Sequence, residues 1–425
     1  MIMSNFSAIG HLLTRNPITT QFGEALTPHT MSVEYIQELV PAGNTVPIIS
    51  AGGNCSATFD GHNVGDILSD AFLQITVPKV SDANASGTCH LVNAAGIACL
   101  KNWSWSIGRQ TWETVSSELM YVLEKADLSK DRRAGFEIGD YGDSNDSVRT
   151  SLATAQQIFV VKLRAYWNQV GKSGTHADAL KLCCLGGNAV EIKVNFDEYK
   201  NWIFYDLSAE GTNDVWTSQL ISDMNTRMSS SAIQCFGRYH HLEKREREFY
   251  QSNPMLSIFS TWSEEKNTRS DTSYYKEKIQ FNFPSTCIMF ALRPSTWNNG
   301  AAVAGKVGLK DKFFFGKPDT DTVTDVDFKV NTNSLIKAFN YHPVIMRTVN
   351  QRRAFGHLVD LPLYVLPFQD EILKSRNIKS FIDLSRFDNL FLEVKPASAN
   401  TELFYWANVK NIATTDYGTS MRPFA

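Results

Sequence analysis

Alternation between apolar and polar positions is the clearest pattern along the chain. Asn102-Trp103-Ser104-Trp105-Ser106-Ile107 puts both tryptophans and Ile107 on one face of a predicted strand and the serines on the other. Gly108-Arg109 supplies a tight turn, and Thr111-Trp112-Glu113-Thr114-Val115 can return as the hairpin partner. Val190 to Phe196 alternates in the same way. Phe72 to Val77 closes at Pro78, which cannot donate to a ladder. Ile279, Phe281 and Phe283 alternate with Gln280 and Asn282, ahead of an apolar run from Cys287 to Leu292. Leu390 to Val394 and Leu403 to Ala407 read as a final pair of strands joined by a polar turn from Pro396 to Asn400.

Helical periodicity is sparse. Glu118 to Ala126 places Leu119, Val122 and Leu123 on one side, and Leu242 to Tyr250 carries Leu242 and Phe249 among charges. No strand–helix–strand alternation appears, which argues against a parallel-sheet fold. Polar stretches, Ser81 to Thr88, Gly135 to Ser147, Asn168 to Asp178, Trp297 to Gly308 and the acidic run Asp319 to Asp327, read as long loops. A shift in composition at Ser208 to Asn213 suggests a division of the chain there. The resulting expectation is an arm over residues 1–28, a first unit over 29–210 and a second over 211–425.

Composition narrows the class. Of 425 residues, 43% are hydrophobic and 20% charged, which excludes a disordered chain. A net charge of −3 excludes whole-molecule electrostatic binding to nucleic acid. Seven scattered cysteines with no C-x-x-C, including a Leu-Cys-Cys-Leu run at 182–185 read as buried strand, suit free thiols in a reducing compartment. No apolar stretch is long enough to span a bilayer as a helix. The opening Met1 to Phe6 lacks the pattern of a secretory signal, which points to synthesis in the cytosol. The sequons at Asn5, Asn54, Asn84, Asn102 and Asn145 are then read as chance.

Candidate chemistry does not survive inspection. Gly171-Lys172-Ser173 has Tyr166 where a phosphate-binding loop needs glycine. His240-His241 reads as a polar turn, because neighbours on a strand point to opposite faces and no H-E-x-x-H follows. Glu243 to Glu248 alternates in charge and describes a solvated helix face. No catalytic, cofactor-binding or metal-ligating residue is assigned. Residue pattern alone therefore predicts a large all-β protein, and two eight-stranded rolls fit its length and long loops.

Particular segments add a family resemblance. Asp383-Leu384-Ser385-Arg386-Phe387-Asp388-Asn389-Leu390 resembles the Ser-Arg-(apolar)-Asp-Asn signature of the major capsid proteins of nucleocytoplasmic large DNA viruses, the double jelly-roll lineage of adenovirus hexon and tailless-phage capsids. Phe404 to Ile412 is similar to the aromatic strand after it, and Tyr417 to Met421 to the family's Gly-containing tail. Ile279 to Pro284 resembles a strand ending in an Asn-His-Pro turn, with Phe283 in place of histidine. Arg238 to Phe249 resembles the strand and charged turn opening the second jelly roll, and Gly65-Asp66-Ile67-Leu68 the entry to a first-half strand.

The resemblance implies an all-β fold of two consecutive eight-stranded antiparallel jelly rolls with long insertions and few short helices. It marks Gly65, Asp66, Asn282, Pro284, Ser385, Arg386, Asp388 and Asn389 as structural motif residues. It further implies a non-enzymatic protein that forms homotrimeric pseudo-hexagonal capsomers, tiles an icosahedral shell and meets minor capsid and penton proteins. An internal membrane could lie beneath that shell, and no direct contact with nucleic acid is implied. The expected location is the virion, after assembly in the host cytoplasm. The competing readings are a non-virion scaffold of the same lineage and a carbohydrate-binding or glycosidase sandwich using exposed tryptophans; the face that Trp103 and Trp105 share with Ile107 favours core.

Overall fold

The structure is a computed structural model that describes residues 19–20, 23–24, 32–39, 42–43, 53–59, 65–80, 88–108, 110–127, 139, 152–165, 167, 179–186, 188–206, 218–253, 255–281, 283–297, 311–317, 320–331, 333–334, 342–373, 380–387, 389–416 and 419–421. Every ladder among them is antiparallel. The first half contributes β1 (Ser32–Leu39), β2 (Asn54–Phe59), β3 (Ile67–Val77), β4 (Leu100–Ile107), β5 (Gln110–Ser116), β6 (Gln157–Lys162), β7 (Val190–Phe196) and β8 (Ala232–Leu242). They form two sheets in the orders β6-β3-β8-β1 and β2-β7-β4-β5, with the short strands Leu180–Lys181 beside β3 and Ala42–Gly43 beside β2, and a separate ladder pairs Thr88–Leu91 with Ile203–Asp206.

The second half contributes β9 (Met255–Arg269), β10 (Tyr275–Lys278), β11 (Pro284–Pro294), β12 (Val323–Val330), β13 (Asn333–Ser334), β14 (Tyr364–Pro367), β15 (Leu390–Pro396) and β16 (Thr401–Asp416). Its sheets are β14-β11-β16-β9 and β10-β15-β12-β13. Adding eight to each label of the first half reproduces the strand order of the second. The chain is thus two jelly rolls of one topology in series.

Alternation builds the first sandwich as expected. Trp103, Trp105 and Ile107 point inward beside Val190, Ile192, Val194 and Phe196, while Ser104 and Ser106 are half-buried on the other face. The hairpin between β4 and β5 turns at Gly108, whose φ of +60° favours glycine. Inside β8, a Cβ on Gly237 would come within 2.7 Å of the Tyr239 ring and 2.8 Å of Phe59, so the core closes there only without a side chain.

Several expectations are corrected. β8 was expected to open the second unit, with the division at 210/211; instead it pairs with β3 and β1 and closes the first jelly roll. After the helices α1 (Ser117–Asp127) and α2 (Ser218–Met228) earlier in the chain, the linker is α3 (Lys244–Ser252), which follows β8. His240 and His241 lie in β8 rather than in a turn. Leu390 to Val394 and Leu403 to Ala407 do form strands, β15 and β16, but they sit in opposite sheets, because the polar turn crosses the sandwich. Among the described residues of the expected Ile279 to Phe283 segment, neither Ile279–Phe281 nor Phe283 lies in a strand. Ile279 and Phe281 are buried in the connection from β10 to β11. The acidic run ends inside β12, where Val326 and Phe328 face inward. Leu182–Cys184 is a buried 3-10 turn.

Of the expected arm, only a ladder of Thr19–Thr20 with Gly23–Glu24 falls among the described residues. Ser208 to Asn213, the sequons at Asn5, Asn84 and Asn145, and the loops from 81–87, 140–147, 168–178 and 298–308 lie outside them. Asn102 is half-buried, and its side-chain oxygen accepts from Asn195 at 2.6 Å. Among the described residues, no helix is long and apolar enough to cross a membrane.

Candidate functional site

With no cluster of three metal-ligating groups among the described residues, the feature most able to carry function is the seam where the two halves meet. Its first-half side is β5, α1 (Ser117–Asp127) and the backbone around Ala98 to Leu100; its second-half side is the outer face of the β9-β16-β11-β14 sheet. α1 was expected to be one-sided. It buries Leu119, Met120, Tyr121, Val122, Leu123 and Ala126, because core covers one side and the second half covers the other. Tyr121 stacks on Phe313 with centroids 4.4 Å apart and planes 7° from parallel, and Trp112 meets Phe259 at 5.4 Å.

Charge is enclosed between these rings. Arg293, fully buried on β11, donates from Nε and Nη2 to Glu402 Oε2 at 2.9 and 2.6 Å and lies 3.3 Å from Glu118 of α1. Its guanidinium sits over Trp297 and Phe404, 5.0 and 4.7 Å from their centroids, and also donates to the Lys312 carbonyl. Lys312 crosses to the first half, where Nζ donates to the carbonyls of Ala98 and Leu100 at 3.2 and 3.0 Å and to Asp197 at 2.7 Å. Three acceptors match the three protons of its ammonium. Lys266 adds a third cation, 3.0 Å from Glu402.

Three cations and three carboxylates (Glu118, Glu402 and Asp197) balance without Glu264, which also lies in the seam. Glu264 accepts from the Ser116 amide at 3.0 Å and lies 2.5 Å from the Ser116 hydroxyl. Burial pushes its carboxyl up to about 7, against the opposing pull of the Ser116 hydrogen bond, and nearby Glu118 adds to the rise. Burial also acts to raise Glu118, but Lys312 and Arg293 outweigh it and hold that carboxyl below its ordinary range. On the same sheet, burial draws Lys410 down to about 8 as it donates to Ser260. Glu113 completes the seam by accepting from Trp105 Nε1 at 3.3 Å and from the Trp262 amide at 3.0 Å.

The motif residues fall into two groups. Buried Gly65 and Asp66 lie at the root of the linker. The Asp66 carboxylate holds Arg247 of α3 in a fork, with Nε and Nη2 both at 2.8 Å, and accepts from the Leu242 amide at 2.8 Å. Pro284, Ser385, Arg386 and Asn389 gather at one end of the second half. Pro284 pairs with Asp383, whose carboxylate takes the Ser385 amide and hydroxyl at 3.2 and 2.6 Å and Arg386 Nε at 3.0 Å. The Asn389 carbonyl accepts from Asn331 at 2.7 Å. Asn282 and Asp388 lie outside the described residues.

Sequence reasoning missed Arg293, Lys312 and Glu264. A usable signal was present: Arg293 directly ends the apolar run from Cys287, and Lys312 directly precedes Phe313-Phe314-Phe315. Trp103 and Trp105, considered as sugar platforms, are fully buried core.

Known structures share this architecture. The chain superimposes on the PBCV-1 virus capsid protein with a TM-score of 0.71 at 15% identity, covering 96% of this chain and 100% of that one. The Faustovirus major capsid protein gives 0.66 at 10% identity over 96% and 94%, and the Sputnik virophage structure 0.58 at 8% over 99% and 92%. No curated protein sequence matches the chain. The class is therefore the double jelly-roll capsid fold. Residues 41–243 match the family described as the major capsid protein N-terminus. The match ends one residue beyond β8, where the first jelly roll closes.

Proposed function

We propose that this chain is a shell-building subunit that acts by self-assembly, without catalysis, as a homotrimer whose six jelly rolls form a pseudo-hexagonal capsomer of an icosahedral virion. The observation that carries this reading is the asymmetry of the seam. Within the chain, β5 and α1 of the first half cover the β9-β16-β11-β14 sheet of the second. The equivalent β6-β3-β8-β1 face of the first half keeps Ile36 and Ile158 exposed at 54% and 57%. Between them lies a Phe72–Phe236 stack with centroids 5.5 Å apart, bordered by Asp70 with Lys162 at 2.8 Å and Arg238 at 3.6 Å.

That mixture of stacked rings and paired charge is what the covered sheet also carries. A seam between unlike surfaces repeats head to tail, and three chains closing a ring would cover every such face. Shell assembly in the host cytoplasm, contact with minor capsid and penton proteins, an internal membrane below and no direct contact with nucleic acid follow from this reading. This reading divides the chain at α3, which follows β8, in place of 210/211. Electron microscopy of the purified protein tests the proposal. Hexagonal particles of three times 47.7 kDa are expected, and single-chain particles would overturn it.

A further inference from the structure

The turn Leu182–Cys184 stands directly against the C-terminal end of α3, the helix that joins the two jelly rolls. Cys184 Sγ donates to the Tyr250 carbonyl at 3.2 Å, one of the last carbonyls of α3, which has no partner within the helix. Gln251 Nε2 returns a bond to the Cys183 carbonyl at 3.2 Å, and the Cys183 amide donates to the Asp66 carbonyl at 3.0 Å. Both thiols are free and buried, with sulfurs 3.9 Å apart. One end of the linker is therefore held by the Asp66–Arg247 fork and the other by a thiol proton.

We propose that Cys183 and Cys184 are an oxidation site that closes to a disulfide with a hydroperoxide and, in closing, releases the C-terminal end of the linker helix. The Cys184 thiolate attacks a peroxide oxygen, the O–O bond breaks and hydroxide leaves as water after protonation. The Cys183 sulfur then displaces the hydroxyl of the sulfenic acid as a second water, and the S–S bond forms. Two thiols are oxidised and one peroxide is reduced to two waters. Cys184 is the attacking sulfur because the Cys183 S–H stabilises its thiolate, holding that thiol below its ordinary range against the opposing effect of burial.

A disulfide sulfur has no proton to donate, so Tyr250 loses its partner on closure. Adjacent Cα atoms stand about 3.8 Å apart, less than the roughly 4.4–6.8 Å of an ordinary disulfide. The bond is therefore strained and readily reduced, which suits a reversible device rather than a permanent staple.

The test treats the full-length protein with hydrogen peroxide and follows alkylation by mass spectrometry together with amide exchange in α3. The expected result is a peptide holding both cysteines that resists alkylation until reduced, with exchange at Tyr250 to Asn253 rising about fivefold or more as one hydrogen bond is lost. Prior phenylarsine oxide, which bridges adjacent thiols, should block the closure. Cys184→Ser keeps a hydroxyl donor to Tyr250, so it should abolish both the closure and the peroxide-dependent exchange. Full alkylation of the pair after peroxide would overturn the proposal, as would closure with unchanged exchange in α3.

Discussion

The sheets β6-β3-β8-β1 and β14-β11-β16-β9 occupy the same place in their two jelly rolls, yet their sequences obey different rules. β8 alternates between buried and half-exposed positions along nearly its whole length, whereas in β11 every residue from Ser285 to Arg293 is buried. Among the described residues, one sheet faces its own core only; the other is covered on both faces, the second time by β5 and α1. Topology is thus shared while residue pattern records the neighbours. The covered sheet also took charge inside with it. Arg293 is acceptable there because Glu402, Glu118, a carbonyl and two aromatic faces surround it.

That contrast can be broken by mutation. An aspartate at Met289, fully buried on the covered face, places an unpaired charge in the seam and should cost more than about 4 kcal/mol in denaturant titration. Phe236→Asp on the open face should cost the isolated chain no more than about 2 kcal/mol. Equal losses at the two positions would erase the distinction. Arg293→Ala removes the buried cation shared by Glu402 and Glu118 and should lower stability by about 3–5 kcal/mol; a loss comparable to that of an exposed ion pair would contradict the seam as described.

Glu264 sharpens the comparison through pH. Its carboxyl is raised from an ordinary 4.5 to about 7, so the folded state holds the proton more tightly than the unfolded one. The stability it contributes is complete below about pH 4.5 and is lost as pH rises through about 7, roughly 3 kcal/mol in all. Glu264→Gln should flatten this slope in thermal melts taken between those values, and an unchanged slope would assign it to other groups. The smallest effect belongs to Arg386→Ala. This exposed partner of Asp383 should change stability by less than about 0.5 kcal/mol.

Much of this was legible in the chain. The tryptophan hairpin and β7 follow directly from alternation with a two-fold period, and the apolar run from Cys287 to Leu292 lies within β11, where the structure shows burial on both sides. Strand partners were less legible. β15 and β16 follow one another across a short turn, as hairpin strands do, and only the closing of the sandwich puts them in opposite sheets. β8 was assigned to the wrong half because its register is fixed by β3 and β1, more than 150 residues earlier. The seam charges were hidden for a similar reason: Lys312 meets Asp197 across 115 positions, a pairing that no local pattern encodes.

The central claim is that the open β6-β3-β8-β1 face meets another copy of the chain. Native mass spectrometry of the wild-type protein beside Phe236→Asp tests it most directly. The account predicts a wild-type mass of three chains and a folded variant at the 47.7 kDa of one. A wild-type monomer, or a variant that remains trimeric, would contradict it.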